Sequence, residues 1–424
     1  MIEIADVALA GPRADELIGG HIDRPHAGDR VEAQAIEVAG WALGRERPAV
    51  AVELWCEGRL ARRAPLNRPR PDLAQAFSDA PGAGAAGFRT TVSAFGRDPS
   101  MEIEVRAVLA DQRRVPLARI LGRRRWREGP EAGAPLVSVV IPCYGQAHYL
   151  TEAIESALAQ TYPQVEVVVV DDGSRDNTSA VAGAYPGVRV VRQENAGLAA
   201  ARNAGLRVTD GEFLVFLDAD DRLLPHAVET GLAELAKDTR AAFAAGHYRH
   251  IDANGEAAPG PRLERVESDP YAALLRVNWT GMPATCVFRR EPLVAAGGFD
   301  RGVGGAEDYD ACLRLAGRHP AASHDVVVAE YRRHGRSMTG DPARMLRAVM
   351  RAHAREARTP AGRRCRSSVL AGRRFWRTYY GDPLGQAVRT AAREHRWADA
   401  LRGAAVLGRH HPAGLLRLPL GTRT

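Results

Sequence analysis

Apolar and polar positions follow two periods along the middle of this chain. From Leu136, "LVSVVIP" is almost wholly apolar, as a strand covered on both faces is. "HYLTEAIESALAQTY" then sets Leu150, Ala153, Ile154, Ala157 and Leu158 at i, i+3, i+4, i+7 and i+8, the buried stripe of a helix. The pairing repeats. "VEVVVVDDGS" predicts a second buried strand, "NTSAVAGAY" a short helix, "VRVVRQ" a third strand, "LAAARNAGLRV" a helix and "EFLVFL" a fourth strand. Strands taking turns with helices predict an α/β domain on a parallel sheet with right-handed crossovers.

The flanks read differently. "AVAVELW", "FRTTVSAF" and "MEIEVRAVLA" alternate with a rough period of two, separated by Gly, Pro and Asp, so residues 1–121 predict a small β-sandwich-like accessory domain. Within it "GAGAAG" (Gly82, Gly84, Gly87) spells a dinucleotide fingerprint. It follows "SDAP" and precedes a strand-like "FRTTV" instead of opening a helix, and reads as a loop. "GRRRWREGPEAGAP", 122–135, is an interdomain linker whose Arg run suits a solvated hinge better than a nucleic-acid patch. The α/β domain spans 136–340, although 225–335 carries little regular pattern. Residues 341–424 are helical and Arg-rich, with aromatics in "RRFWRTYY" and an amphipathic stretch in which Leu401, Ala405 and Val406 face a core.

Composition narrows the classes. With 424 residues and 45% hydrophobic positions the chain can bury a sizeable core, which argues against disorder. A net charge of +7 suits an anionic partner: phosphate, nucleic acid or a membrane surface. The five cysteines (Cys56, Cys143, Cys286, Cys312, Cys365) are scattered without zinc or redox spacing, which fits a reducing compartment, and Cys286 and Cys312 read as core. The start of the chain has no signal-peptide pattern, and no apolar run approaches the roughly 18 to 20 residues that span a bilayer. The expected location is cytoplasmic, with peripheral contact at the inner face of the membrane left open.

Two predicted strands end in acids: "VVVVDDGS" in Asp171 and Asp172, "LVFLDADD" in Asp218, Asp220 and Asp221. Ligands of open α/β sheets bind beyond the carboxyl ends of the strands. If these strands are parallel neighbours, the carboxylates converge and repel, and a hard divalent cation such as Mg²⁺ or Mn²⁺ would relieve that repulsion. Asp218 and Asp220, two apart at a strand end, can turn toward one ion. The plainer reading is that such acids are turns and caps, with Asp221 an N-cap before "RLLPHAVE".

Six motifs in order carry a resemblance. They are "VSVVIPCYGQAHYLTEAIESALAQTY", "VVVVDDGSRDNT", "QENAGLAAARNAGL", "FLDADD", "GGFD…AEDYDACLRLA" and "YRRHGRSMT". Over roughly 136–340 the chain resembles the family-two glycosyltransferases, which implies a GT-A nucleotide-sugar-binding domain on a Rossmann-like mixed sheet. The resemblance implies roles. Asp172, beside Asp171, would accept hydrogen bonds from the donor's base or ribose. Pro142 and Tyr144 would frame the nucleotide, with Tyr144 placed to stack on the base. Asn195 and Gly197 would form the turn before a helix whose Arg202 and Asn203 lie beside the nucleotide and its phosphates. Asp220 would bind the metal directly, while Asp218 would hold donor hydroxyls or reach the metal through water. Asp308, with Glu307 beside it, would be the general base of a single inverting displacement. His334 would be a further metal ligand or touch the diphosphate.

The reading is therefore an inverting, metal-dependent glycosyltransferase that takes a nucleotide-diphosphate sugar, UDP-linked as first choice, and a hydroxyl acceptor on a glycan or lipid carrier, in bacterial cell-envelope polysaccharide synthesis. A nucleotidyltransferase is the nearest rival, but "IPCYGQAHYL" has no basic residue in a Gly-rich loop. A nucleic-acid or membrane-binding protein follows from the charge alone, and the acidic rim argues against nucleic acid. Trp279 and Tyr248 are candidates to stack on a sugar face, with core packing the plainer reading. The C-terminal helices are read as packing on the catalytic domain, with anionic lipid or a homodimer interface as alternatives.

Overall fold

The computed structural model describes all residues except 1, 11–15, 32–34, 57, 81, 94–99, 125–133, 262–265, 267, 336–339 and 413–424. Most of the 122–135 linker, and Ser337 and Met338 of the closing motif, lie outside the described residues. The chain divides into two units, Met1–Glu128 and Gly129–Thr424.

The first unit is all β apart from short helical turns. Six antiparallel strands follow the order Arg30–Val31, Ile2–Leu9, Arg114–Arg124, Ser100–Leu109, Ala49–Cys56, Arg59–Pro65. A second sheet joins Leu17–Arg24, Ala35–Gly44 and Gly87–Ser93. Inward residues of both, among them Ile4, Leu54 and Ile103 from one and Ile36, Val38 and Phe88 from the other, share one core, so the unit is a β-sandwich. The GAGAAG loop makes a single 3-10 turn, Ala83–Ala85, and then enters a strand.

The second unit is built on a mixed sheet. Its strands are β1 (Val137–Cys143), β2 (Val165–Asp171), β3 (Val188–Arg192), β4 (Phe213–Phe216), β5 (Phe243–Ile251), β6 (Cys286–Arg289) and β7 (Ala321–Arg332), in the spatial order β3-β2-β1-β4-β6-β5-β7. The first four are parallel and joined through α1 (Ala147–Leu158), α2 (Thr178–Gly183) and α3 (Leu198–Val208). β6 runs antiparallel to both β4 and β5. The sheet thus departs from all-parallel in the half that lacks a legible sequence pattern.

Why β1 is apolar throughout is now plain. Val137, Val139 and Ile141 face α1, where they meet Leu150, Ala153, Ile154 and Ala157. Val140 points the other way into the cluster that holds Ala201 and Ala204 of α3. Leu158 sits at the edge of the stripe and is only half-buried.

The longer helices toward the end of the unit are α4 (Glu307–Ala316), α5 (Pro342–Glu356), α6 (Arg366–Arg393) and α7 (Trp397–His410). Leu346 and Val349 of α5, Val369 and Trp376 of α6 and Leu407 of α7 belong to the same apolar cluster as Val140 and Tyr309. One expectation fails here. Leu401 is 70% exposed and Ala405 is exposed too, whereas Ala400, Gly403, Val406 and Leu407 face inward. Gly403 sits so close to Val388 that an added Cβ would fall 2.5 Å from its Cγ2. The face that permits close approach turns inward, not the face with the larger side chains. Among the described residues no helix is long and apolar enough to cross a membrane.

Gly205 sets the distance between α3 and the sheet: a Cβ there would fall 2.2 Å from Val140 Cγ1. Alanine would gain about 1 kcal/mol of helix propensity, but overpacking costs typically about 1 to 3 kcal/mol. Gly205→Ala is expected to lower the urea midpoint by the equivalent of about 1 kcal/mol. An unchanged or higher midpoint would mean that the helix moves away from β1 without penalty.

Candidate active site

The carboxyl ends of β1, β2 and β4 open into a cavity of about 560 Å³. Pro142, Tyr144, Asp172, Asn195, Gly197, Arg202, Asp218, Asp220, Glu307 and Asp308 all line it, so ten of the thirteen residues singled out above meet at one place. They come from the loop after β1, the end of β2, the start of α3, the turn after β4 and the start of α4.

Asp171 is not among them. It is fully buried at the last position of β2, where its carboxylate accepts the Ser174 amide at 2.8 Å and the Ser179 hydroxyl. It shapes the turn. Asp172, one residue on, accepts the amides of Ala196 and Gly197 at 2.9 Å each and the Gln193 side chain at 2.7 Å. These bonds hold the Asn195–Gly197 turn against the strand end, and Gly197 takes φ +89°, which favours glycine. Asn203 also points away from the cavity: its amide exchanges hydrogen bonds with the backbone of Phe299 at 2.7 and 2.9 Å, tying α3 to the "GGFD" segment.

The acidic turn is bound by two buried arginines. Arg202, only 2% exposed, places Nη2 2.7 and 3.0 Å from the two oxygens of Asp218, and its guanidinium lies 5.5 Å from the Phe299 ring. Its charge also acts on Asp308 and Glu307. Behind the turn, Arg332 of β7 donates Nε to the Asp220 carbonyl at 2.7 Å, pairs with Glu152 and lies over the Tyr149 ring. Its backbone amide donates to Asp221 at 2.8 Å. Asp221 is therefore not the helix cap expected of it; the helix that follows begins at Ala227, capped by His226. Burial pushes the Asp221 carboxyl well above its ordinary range, and Asp220 and Asp218 push it further. Asp218 is raised as well, by burial first and in spite of Arg202.

Asp220 accepts the Gln146 amide at 3.0 Å and meets His334 Nε2 at 2.9 Å. His334 comes from the segment after β7 and packs on Tyr149 with centroids 5.3 Å apart. Across the cavity, Glu307 accepts the Gly305 amide at 2.9 Å, which turns the chain into α4. Asp308 follows with partly accessible side-chain surface. Burial raises its carboxyl, and Arg202 pulls the other way.

Sequence reasoning missed part of the lining. Tyr248, read more plainly as core, faces the cavity together with Tyr331, Arg344, Trp376 and Tyr380. These lie on β5, β7, α5 and α6, in the stretch without a clear pattern or beyond it. Arg332 and His334 stood inside the quoted "YRRHG", but nothing local distinguishes the arginine that backs the acidic turn from its neighbour Arg333. Trp279 is buried as expected, with Nε1 donating to Pro270.

A half-parallel sheet with an acidic turn and a helix-borne carboxylate around one cavity is the architecture of GT-A glycosyltransferases. The comparisons agree. Residues 138–295 match the model of glycosyl transferase family 2. An uncharacterized glycosyltransferase of Rickettsia felis is 31% identical over 212 residues, 47% of this chain and 34% of that protein. Chondroitin synthase of Escherichia coli is 32% identical over 203 residues, 43% of this chain and 26% of the synthase. The chain thus spans about a third and about a quarter of these two relatives. Among solved structures, residues 1–349 of S. aureus TarS share the fold with a TM-score of 0.50 at 19% identity, over 64% of this chain and 80% of that one. Residues 138–295 are thus similar to glycosyl transferase family 2, and the second unit has the GT-A fold.

Arg202→Met is expected to cost about 3 kcal/mol at neutral pH, because it leaves a largely buried carboxylate without its partner. Without Arg202 the Asp218 carboxyl titrates still higher. The folded state then binds a proton more tightly than the unfolded chain, so the loss must shrink as the pH falls. Urea melts of both proteins across the acid range check this; a deficit that stays constant or grows on acidification contradicts it.

Proposed function

We propose that the protein is an inverting, metal-dependent glycosyltransferase that moves a sugar from a nucleotide-diphosphate sugar, UDP-linked as first choice, to a hydroxyl of a growing polysaccharide. The observation that carries this is the meeting of Asp172, the Asp218–Asp220 turn and Asp308 around one cavity. The kinship to a chondroitin synthase supports the polysaccharide part of the reading.

The donor end is formed by the ends of β1, β2 and β4. Tyr144 is largely exposed at the rim, free to stack on a base, while Pro142 and Asp172 frame the nucleotide. The Asp172 carboxylate holds the Asn195–Gly197 turn in place, so backbone approaches the nucleotide where Gly197 has no side chain to obstruct it.

A divalent cation, Mn²⁺ or Mg²⁺, fits the donor set. Burial raises the Asp218 and Asp221 carboxyls, and repulsion from Asp220 raises them further. Among the described residues no three His, Cys, Asp or Glu side chains form a closed cage. That suits a hard cation that takes one or two protein ligands and completes its shell from phosphates. Asp220 and His334 would hold it, with Asp218 behind water or on the donor's hydroxyls. When bound, the ion neutralises charge that builds on the departing diphosphate.

Asp308 takes the proton of the acceptor hydroxyl as that oxygen attacks the anomeric carbon. A carboxyl lifted above the ordinary aspartate range by burial is a stronger base, and the Arg202 charge favours its ionised form. Glu307, bound to the Gly305 amide, positions the first turn of α4.

Asp308→Asn is expected to reduce transfer by roughly 10² to 10⁴-fold with nucleotide binding retained. In the wild type the acid limb of kcat/KM should lie above the ordinary aspartate range, with activity lost as the pH falls through it; transfer near the wild-type rate in the variant would place the base elsewhere. The donor site is tested by thermal stabilisation with UDP, GDP, dTDP and CDP, each with and without Mn²⁺. A metal-dependent rise with UDP is expected, and Asp220→Ala should abolish the metal dependence. No rise with any nucleotide would refute the donor site.

A further inference from the structure

The cavity has a second wall that the donor reading leaves unused. Trp376 and Tyr380, one turn apart on α6, stack nearly parallel, with centroids 5.5 Å apart and planes at 11°. Tyr248 of β5 and Tyr331 of β7 meet edge to face at 6.0 Å. All four line the cavity. Tyr248 lies against the backbone at Gly281, where a Cβ would fall 2.2 Å from its ring. Tyr380, Tyr331, Tyr248 and Asp308 line the same cavity, so this wall and the candidate base share it.

Trp376 is 6% exposed and its indole N–H meets the Tyr309 hydroxyl, whose other bonds go to Leu274 and His353, so the ring is held in place at the cavity wall.

Aromatic faces joined to a few polar groups match a pyranose, which offers apolar C–H faces and hydroxyl edges. The aromatic ladder also continues outward. Phe375 and Tyr379, 39% and 57% exposed, stack at 5.6 Å on the same helix, and Tyr379 meets Tyr380 at 4.9 Å. The wall therefore leads from the base to the surface. α6 lies wholly outside residues 138–295, the part of the chain that matches the family model.

We propose that Trp376, Tyr380, Tyr248 and Tyr331 form the acceptor subsite, and that the acceptor is an oligosaccharide whose terminal ring stacks on this wall while preceding rings run over Tyr379 and Phe375. The inference rests on the transferase reading and adds the residues that hold its acceptor.

The test uses the full chain and a panel of defined hexose and N-acetylhexosamine di- and tetrasaccharides, scored by binding with and without UDP and Mn²⁺. Wild type should bind at least one member. Tyr380→Ala should weaken that binding at least tenfold while the UDP-induced thermal shift persists. Tyr379→Ala, a change at an exposed position that the fold tolerates, should weaken tetrasaccharides several-fold and disaccharides little. Trp376→Phe, which shortens the aromatic face of the wall, should weaken both. Saccharide binding unaffected by Tyr380→Ala and Trp376→Phe overturns the subsite. So does a UDP shift with no saccharide bound, or competition for the wall by a short prenyl diphosphate in place of sugars. Loss of the UDP shift in wild type would instead refute the donor reading, a result separate from the saccharide measurements.

Discussion

Six carboxylates line one cavity; five of them pose an electrostatic problem that two buried arginines meet. Asp218, Asp220, Asp221, Glu307 and Asp308 would repel one another in a space shielded from water, where charges interact far more strongly than in bulk. Arg202 lies among Asp218, Glu307 and Asp308, while Arg332 sits behind Asp220 and Asp221. The first comes from α3 and the second from the last strand of the sheet. The acidic turn thus fastens the two ends of the α/β fold together, and neither arginine can leave without stranding a buried charge.

The same logic extends to the helices after the sheet. Asp308 depends on where α4 lies, and α4 is pinned from outside. Tyr309 donates or shares hydrogen bonds with Leu274 and His353 of α5, and Asp310 pairs with Arg314 and with Arg355 of α5. Burial drives the His353 imidazole down to about 4, so it stays neutral and serves as a fixed polar contact. The C-terminal helices therefore set the position of the candidate base and supply the aromatic wall beside it. They form part of the site's framework.

Most of the strand-end side of the cavity was legible from local pattern. The alternation of buried strands and amphipathic helices places β1 to β4 side by side, and once they are parallel their acidic ends must converge. Within that region one-residue distinctions were not legible. Asp171 and Asp172 are adjacent and identical, yet the pleat sends the first into the turn and the second to the cavity. Arg202 and Asn203 differ in the same way, separated by about 100° of helix rotation, so that one faces the carboxylates and the other the backbone of Phe299.

What the sequence determined by itself was the β-then-α/β-then-helical order, the covered strands, and the acids at the strand ends. Those are consequences of period and residue type, which act locally. Tertiary structure alone decided which arginine meets which carboxylate, that Asp221 is a backbone acceptor and no cap, that Leu401 faces water, and that Tyr248, Tyr331, Trp376 and Tyr380 meet beside Asp308. These residues are up to 132 positions apart, 380 less 248, and no local rule relates them. Their meeting depends on how helices settle on the sheet, which close contacts such as Gly403 on Val388 and Gly205 on Val140 decide.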